Sequence, residues 1–461
     1  MLKILKAESA SPIEVRSSSS CGSIDEGEGG QLISYQDKGK MSKTGFTPLQ
    51  SVRKFYFLEY FYVLLKSIER FSSREEAFEL FKMLKQEHKL GESKYKKLTA
   101  EPVQLTKVQL DRYRYTYKQV IDESREYELL REENDALYLT EQGKRLIYLY
   151  EKESLQNFHE VLFGLMEKRY NAFDNLLKFL YNSNKFRSGL LVLPSYSPRQ
   201  LKIDKADIKT HGDFLQYLSQ LCKQLQADIL KYTNKEHDLS KPLENLKQKL
   251  FDGGLILRQS NAPFNPKYYN RATKKTRDFW ISYFLRNIFC YEGSAPSFEI
   301  WTFRAKQIGI VNATDFYPGF SGRIVYPTAV INKVNGNRDF KRLFTYPDGR
   351  LLLLHAPLDN ENTFVDFLVK DYFLLKNQAN SYFVNLLSLR ELVCYNMKIS
   401  ETTFESLLNS IYRKNLSGDL KVRLSLEVDR LPEDTKSMYL KRTPVMVDGK
   451  YRNIIAIDLR K

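Results

Sequence analysis

Two stretches of the chain place carboxylates beside a lysine, as a metal-dependent nuclease would require. Such an enzyme uses clustered carboxylates to hold Mg²⁺ and an attacking water. Asp204, Asp207 and Lys209 could form one such set, and Asp366 with Lys370 could form another. Solvated surface charges explain both patterns more simply. A nuclease with an unrecognised site is therefore kept only as an alternative.

Other catalytic and metal-binding motifs are absent from the sequence. There is no phosphate-binding GxxxxGK[ST] loop and no GxSxG nucleophile elbow. The five histidines lack the short spacing of a metal site: His88, His159, His211, His237 and His355. The four cysteines include no CxxC pair: Cys21, Cys222, Cys290 and Cys394. We therefore predict no bound metal and no cofactor, and we favour a non-catalytic role over an enzyme.

The chain is strongly basic. It has 72 Lys+Arg against 56 Asp+Glu, a formal net charge of +16. This balance favours a polyanionic partner, although charge alone does not choose among DNA, RNA and an acidic membrane. No signal peptide is apparent, and the longest apolar run, residues 55–65, is too short to span a bilayer. These features predict a cytoplasmic protein that does not contact a membrane.

The segment Thr116–Glu151 predicts the first of three helix-and-hairpin units. Thr116 and Gln119 could form a capping box, REENDAL predicts a turn between two strands, and Thr140 could cap the next helix. This order is typical of a winged helix, whose recognition helix enters the major groove while its hairpin contacts the backbone or minor groove. Four side chains are expected to face the DNA: Tyr115, Tyr117, Lys118 and Arg125.

Acidic residues leave a second use of this unit open. The run Glu123–Glu133 is rich in carboxylates, and Glu123 is expected on the outer face with Lys118 and Arg125. A surface of this kind also suits a dimer or another protein contact.

A second unit is predicted near Ser294–Val330. Two helices, over 277–291 and 298–308, precede a strand, a Gly/Pro turn and another strand. Trp280 and Trp301 have the spacing of buried core residues. Five basic residues are candidate DNA contacts: Lys274, Lys275, Arg304, Lys306 and Arg323.

A third unit is predicted over Ser400–Asp458. The segment LLSLRELVCYNM and residues 402–414 predict two helices, the second capped by Ser400. The strand DLKVRLSLEV follows, and Asp448-Gly449 is a strong hairpin-turn signal. This unit is the most basic, and its candidate DNA contacts include those of the predicted wing: Arg413, Lys414, Lys421, Arg423, Lys441, Arg442, Lys450 and Arg452.

Together these patterns predict an α+β, mainly α fold, with tandem winged-helix domains joined by a helical middle region. Apolar stripes over 155–181 and 213–232 predict the helices of that middle region. The predicted division has five parts: a disordered tail 1–45, an N-terminal winged helix 46–152, a helical domain 153–258, a second winged helix 259–335 and a C-terminal winged helix 336–461.

The segment LYLTEQGKRLIYL resembles the wing exit of bacterial winged-helix regulators. The overall layout is similar to multi-winged-helix proteins encoded among bacterial anti-phage defence and restriction genes. That resemblance implies a non-catalytic, double-stranded-DNA-binding subunit of a multi-protein DNA-defence or DNA-processing complex. Its protein partners would be a separate ATPase or nuclease subunit.

A second resemblance implies a different role. Winged helices at both ends of a helical middle are similar to the kleisin subunits of chromosome-organising complexes. That layout implies a protein–protein adaptor of an ATPase complex, although the net charge of +16 argues against it.

Overall fold

The computed structural model of the chain shows a mainly helical protein with small antiparallel sheets, in agreement with the predicted α+β class. The structure describes residues 53–88, 90, 105–170, 173, 176, 177, 180, 191–194, 205–233, 236–289, 291, 294–318, 322–328, 330, 331, 342–345, 351–353, 361–429 and 443–459. Within these residues, no helix is both long enough and apolar enough to cross a bilayer.

The chain forms two compact units. The middle unit is built around Asn182–Pro296 and Gly319–Ile324. The composite unit combines three segments that are distant in sequence: Pro48–Tyr181, Ser297–Pro318 and Val325–Lys461. The five-part division made from the sequence stays a prediction, and its tail 1–45 lies outside the described residues.

The N-terminal part of the composite unit contains helices and one hairpin. Its elements are α1 (Glu59–Arg70), α2 (Arg74–Glu87), α3 (Lys107–Glu126), β1 (Leu130–Glu133), β2 (Ala136–Leu139), α4 (Glu141–Tyr148) and α5 (Leu155–Arg169). A π-helical turn, Leu149–Glu153, connects α4 to α5. The apolar stripe predicted beyond α5 is confirmed by four buried residues: Phe173, Leu176, Leu177 and Leu180.

The start of α3 corrects the prediction of a helix capped by Thr116. Thr106 is the N-cap and forms a capping box with Gln109. Thr116 lies inside the helix, where its hydroxyl donates to the carbonyl of Arg112 (3.0 Å). The pattern T-x-x-Q occurs at both places, and the helix uses the upstream copy.

The predicted hairpin after α3 is confirmed. Asn134 and Asp135 have φ of 50° and 61°, as the favoured two-residue hairpin turn requires. Their turn pairs Glu133 with Ala136. Thr140 caps α4, since its hydroxyl oxygen accepts from the N–H of Gly143 (3.1 Å).

The middle unit contains β3 (Leu191–Pro194), α6 (His211–Thr233), α7 (Ser240–Asp252) and α8 (Pro266–Tyr283). The apolar stripe predicted for α6 is buried along its length, at Phe214, Leu218, Leu221, Leu225 and Ile229. Trp280 of α8 is fully buried, as its spacing predicts.

The remaining elements run from the end of the middle unit to the C-terminus. They are α9 (Ala295–Ile308), β4 (Val311–Thr314), β5 (Gly322–Pro327), β6 (Val330–Ile331), β7 (Arg342–Thr345), β8 (Leu351–Leu353), α10 (Glu361–Ala379), β9 (Val384–Asn385), α11 (Leu386–Met397), α12 (Glu401–Ser417), β10 (Val422–Glu427), β11 (Val445–Val447), β12 (Lys450–Arg452) and β13 (Ile454–Leu459). The helix α10 was not predicted from the sequence.

The C-terminal strands form a three-stranded antiparallel sheet in the order β10–β13–β9. Residues of β10 alternate between buried and exposed, so one face of this sheet covers the core. Between β10 and β13, β11 and β12 form a separate hairpin. Its turn is Asp448-Gly449, with φ of 51° and 72°, so the predicted turn is confirmed.

A fully buried ion pair joins α9 to α3. Arg304 of α9 donates from Nη1 to Oε1 of Glu123 (2.7 Å) and from Nη2 to its Oε2 (3.0 Å). Tyr127 donates to the same carboxylate (2.8 Å), and Arg304 also donates to the carbonyl of Phe55 (3.2 Å). Burial lowers the pKa of Arg304, but the Glu123 carboxylate outweighs this effect and raises it above its ordinary value. The guanidinium therefore stays charged inside the core.

The same helix is joined to α12 by a second ion pair. Lys306 donates to a carboxylate oxygen of Glu401, the first residue of α12 (2.7 Å). Arg390 of α11 lies 3.4 Å from the same oxygen and donates to the carbonyl of Thr443, just before β11 (2.7 Å). The helix α9 thus holds α3 on one side and the α11–α12 pair on another.

Removal of Arg304 should destabilise the composite unit strongly. Arg304→Met leaves Glu123 buried without its countercharge, and such a change costs about 3–5 kcal/mol of unfolding free energy. Urea unfolding followed by circular dichroism measures the loss. Arg131→Ala is the control, because its exposed pair with Glu133 (3.3 Å) contributes about 0–1 kcal/mol. Equal stability losses in the two variants would contradict the role assigned to the buried pair.

Candidate nucleic-acid interface

The helix α12 has one apolar side and one polar, exposed side. Ser400 caps it by accepting from the N–H of Thr403 (3.1 Å), as predicted. The apolar side is buried at Phe404, Leu407, Leu408 and Ile411. Helical spacing places the opposite stripe toward solvent: Thr402, Ser406, Asn409 and Arg413. This stripe is available for a partner because the apolar side fixes the orientation of the helix.

Asn409 connects the exposed stripe to the β11–β12 hairpin. Its amide nitrogen donates to the carbonyl of Met446 (3.0 Å), and its amide oxygen accepts from the N–H of Asp448 (2.7 Å). Both contacts lie at the hairpin turn. One side chain therefore holds the tip of the hairpin against α12, so the helix and the hairpin form one surface.

Basic side chains lie on this surface and beside it. Arg413 is exposed, with Nη2 3.9 Å from a carboxylate oxygen of Asp448. Lys421 and Lys450 are exposed and form no ion pair with any other described residue. We define the C-terminal surface as Thr402, Ser406, Asn409, Arg413, Lys421 and Lys450.

The other basic residues predicted in this region are differently placed. Lys414 is exposed but paired with Glu361 of α10. Arg423 is exposed and lies opposite Asp458 in the β10–β13 register. Arg452 is partly buried. Lys441 and Arg442, central to the predicted wing, lie outside the described residues.

Lys398 occupies the turn between α11 and α12 in the left-handed conformation (φ 55°). Its ammonium lies 3.5 Å from the ring centroid of Tyr395 and 5.1 Å from that of Tyr326, and it donates to the Tyr395 carbonyl (3.1 Å). Burial lowers the pKa of Lys398 to about 8. The turn between the two helices therefore contains a lysine whose pKa is lowered to about 8.

Four residues of α3 were predicted to face outward, and Tyr115 and Lys118 are exposed as expected. Arg125 is also exposed but is neutralised by Glu132 (2.9 Å). Tyr117 was wrongly predicted to face out: it is buried, and its hydroxyl donates to the carbonyl of Arg74 (3.1 Å).

Burial also overturns the expected positions of two charged residues. Glu123 was predicted on the outer face of α3, and Arg304 was predicted to contact DNA, but both are fully buried in their mutual ion pair. Arg304 therefore cannot contact a nucleic acid in this fold. Lys306 is only partly exposed and forms an ion pair with Glu401.

The remaining candidates of the second predicted unit lie in the middle unit. Lys274 of α8 is exposed. Lys275 is exposed as well, and it donates to the carbonyl of Lys249 on α7 (3.0 Å). Arg323 of β5 is partly buried.

Three cations of α3 were missed by the sequence reasoning: Lys107, Arg112 and Arg114. They lie upstream of Thr116, where the helix was predicted to begin. The capping pattern of Thr106 and Gln109 is the local signal that could have placed them on the helix.

The described part of the chain contains no assembled metal-binding site. No three His, Cys, Asp or Glu side chains there converge as a metal-binding group. Asp366 and Lys370 are exposed on α10. Asp207 and Lys209 are exposed as well, while Asp204 lies outside the described residues. Cys222 and Cys394 are buried and free, as expected of small core residues.

Comparison of the chain with protein-family models, with curated proteins and with solved structures gave no match. The interpretation of the interface therefore depends on its geometry and its charge.

The stability contribution of Lys398 should depend on pH. Its folded pKa of about 8 lies below the ordinary lysine value of about 10.4, so the unfolded chain binds more protons between these two pH values. The unfolding free energy of the wild type should therefore rise from pH 8 to pH 10 relative to that of Lys398→Met. Urea unfolding of both proteins at several pH values measures this difference.

The control for this titration is Lys144→Met, which removes an exposed lysine of α4. Its stability difference from the wild type should stay nearly constant over the same pH range. A constant difference for Lys398→Met as well would show that Lys398 is not held in a desolvated environment.

Proposed function

We propose that the protein binds duplex DNA through the C-terminal surface and does so without catalysing a reaction. The elements follow the order α10–β9–α11–α12–β10–β11–β12–β13, and the sheet has the order β10–β13–β9. A winged helix with a hairpin as its wing would have this arrangement. In that fold α12 would be the recognition helix and the β11–β12 hairpin the wing.

The observation that carries the proposal is the attachment of the hairpin to α12 by Asn409. It places Lys450, next to the turn, beside the polar stripe that includes Arg413. A helix with a polar exposed stripe fits a major groove, while cations beside it can contact the phosphates. The stripe Thr402, Ser406, Asn409 and Arg413 is polar, and Leu416 is an exposed apolar residue at its C-terminal end. A single apolar side chain is a small surface for a protein-binding groove.

The N-terminal elements support a tandem arrangement. There, α1, α2 and α3 are followed by the β1–β2 hairpin, which repeats the order of helices and hairpin. The hairpin itself is poorly suited to DNA, because Glu132 neutralises both Arg74 and Arg125. The proposal therefore assigns the principal contact to the C-terminal surface.

Reversing two charges of the C-terminal surface should weaken DNA binding. Arg413→Glu/Lys450→Glu replaces two phosphate-attracting groups with repelling ones, so the dissociation constant for a duplex of about 30 bp should rise at least about tenfold. The effect should be the same for unrelated DNA sequences, since phosphate contacts do not depend on base identity. Fluorescence anisotropy with labelled duplexes measures it.

The matched control is Lys144→Glu/Lys223→Glu, which changes the net charge equally at exposed helical positions on α4 and α6. This control should bind nearly as the wild type does. If both double variants lose the same affinity, only net charge matters. If neither loses affinity, the C-terminal surface does not bind DNA.

A further inference from the structure

The first 12 residues of α3 carry a cluster of exposed cations. Lys107, Arg112, Arg114 and Lys118 are all exposed, and we define them as the α3 basic face. One carboxylate, Asp111, is exposed among them. The cluster thus has an excess of positive charge over the first three turns of the helix.

The cluster keeps its positive charge among the residues that the structure describes. None of the four cations forms an ion pair with another described residue; Arg114 only approaches the ring of Phe78 (5.8 Å). At the C-terminal end of the helix, by contrast, Arg125 pairs with Glu132, and Glu126 pairs with Arg53. Free cations are therefore concentrated at one end of α3.

The geometry of the cluster suits a groove lined by phosphates on both sides. Arg112 and Arg114 are two residues apart, which corresponds to a rotation of about 200° around an α-helix. Lys107 and Lys118 are separated by about 16 Å along the axis at about 1.5 Å per residue. Cations on two sides of one helix can reach both strands of a duplex when the helix lies in the major groove, which is about 12 Å wide.

Apolar side chains are also exposed on this part of the helix. Val108 is 61% exposed and Tyr115 is 48% exposed. They lie among the cations, so a partner that binds the charges would also cover these side chains. The other side of the helix is fixed in the core through Tyr117, Val120 and Ile121, which keeps this face oriented outward.

We propose that the α3 basic face is a second duplex-DNA contact, separate from the C-terminal surface; the proposal rests on the proposed function. Both contacts belong to the composite unit. Arg304 joins α9 to Glu123 of α3, and Lys306 joins α9 to Glu401 of α12. The helix α9 therefore contacts both helices that carry the two surfaces.

The test is the salt dependence of DNA binding by the full chain with the face neutralised. Lys107→Gln/Arg112→Gln/Lys118→Gln keeps residues of good helix propensity and removes three cations. Each phosphate contact contributes about −0.9 to the slope of log K against log salt, so the slope should become shallower by about 3. The affinity for a duplex should fall on the order of tenfold at about 0.15 M salt.

The control Lys144→Gln/Lys152→Gln/Lys223→Gln removes three exposed lysines elsewhere and should leave the slope nearly unchanged. Because every substituted residue is exposed, both triple variants should melt at the temperature of the wild type. Equal melting temperatures of the three proteins would show that the fold is retained.

The outcomes separate the two DNA contacts. If Arg413→Glu/Lys450→Glu weakens binding while the α3 variant matches its control, the α3 proposal is overturned and the proposed function stands. If only the α3 variant weakens binding, the α3 contact is supported and the C-terminal assignment fails. Tighter binding of an RNA duplex than of DNA, with the same loss in the α3 variant, would assign the face to RNA and overturn the proposal.

Discussion

The composite unit depends on the buried contact between Arg304 and Glu123. These residues are far apart in the sequence, yet both charges are removed from water and satisfied by each other. Tyr127 donates a further hydrogen bond to Glu123, and the carbonyl of Phe55 accepts one from Arg304. Because an unpaired charge in this position would cost about 3–5 kcal/mol, the ion pair favours the packing of α9 against α3. The segment that follows the middle unit is thereby fixed to the N-terminal helices.

This constraint separates structural charges from charges that remain free for a partner. Arg304, Lys306 and Arg390 are occupied by buried or partly buried carboxylates and carbonyls. Lys421 and Lys450, in contrast, are exposed with no ion pair among the described residues. The net positive charge of the chain is therefore a poor guide to a binding surface until the internal pairs are known. The exposed cations support the proposed DNA contacts, and Arg413 is the one among them that lies within 4 Å of a described carboxylate, at 3.9 Å from Asp448.

Local signals in the sequence predicted local structure well. Ser400 caps α12, Asp448-Gly449 forms the hairpin turn, and the apolar run of α11 ends within the expected segment. Caps and turns depend on a few neighbouring residues, so they can be inferred without the rest of the fold. The capping pattern of α3 shows the limit of such signals, because it occurs at both Thr106 and Thr116.

The direction in which a charged side chain points could not be predicted in the same way. Glu123 lies in a charged stretch and Arg304 follows the apolar Phe303, yet only the long-range packing of α9 on α3 brings these two charges together and buries them. The charge pattern likewise predicted Lys306 on a DNA-facing surface. In the structure Lys306 instead forms an ion pair with Glu401, which is distant in sequence. The hairpin attachment by Asn409 is also a tertiary contact. The candidate site was thus only partly predictable from the sequence.

The most direct test of the account is the salt dependence of duplex-DNA binding by the unmodified protein. The C-terminal surface has three cations and the α3 basic face has four. At about −0.9 for each phosphate contact, we expect a slope of log K against log salt of about −6. Binding that weakens linearly with this steepness between about 0.05 and 0.2 M salt would support the account. No binding at the lowest salt, or binding independent of salt, would contradict it.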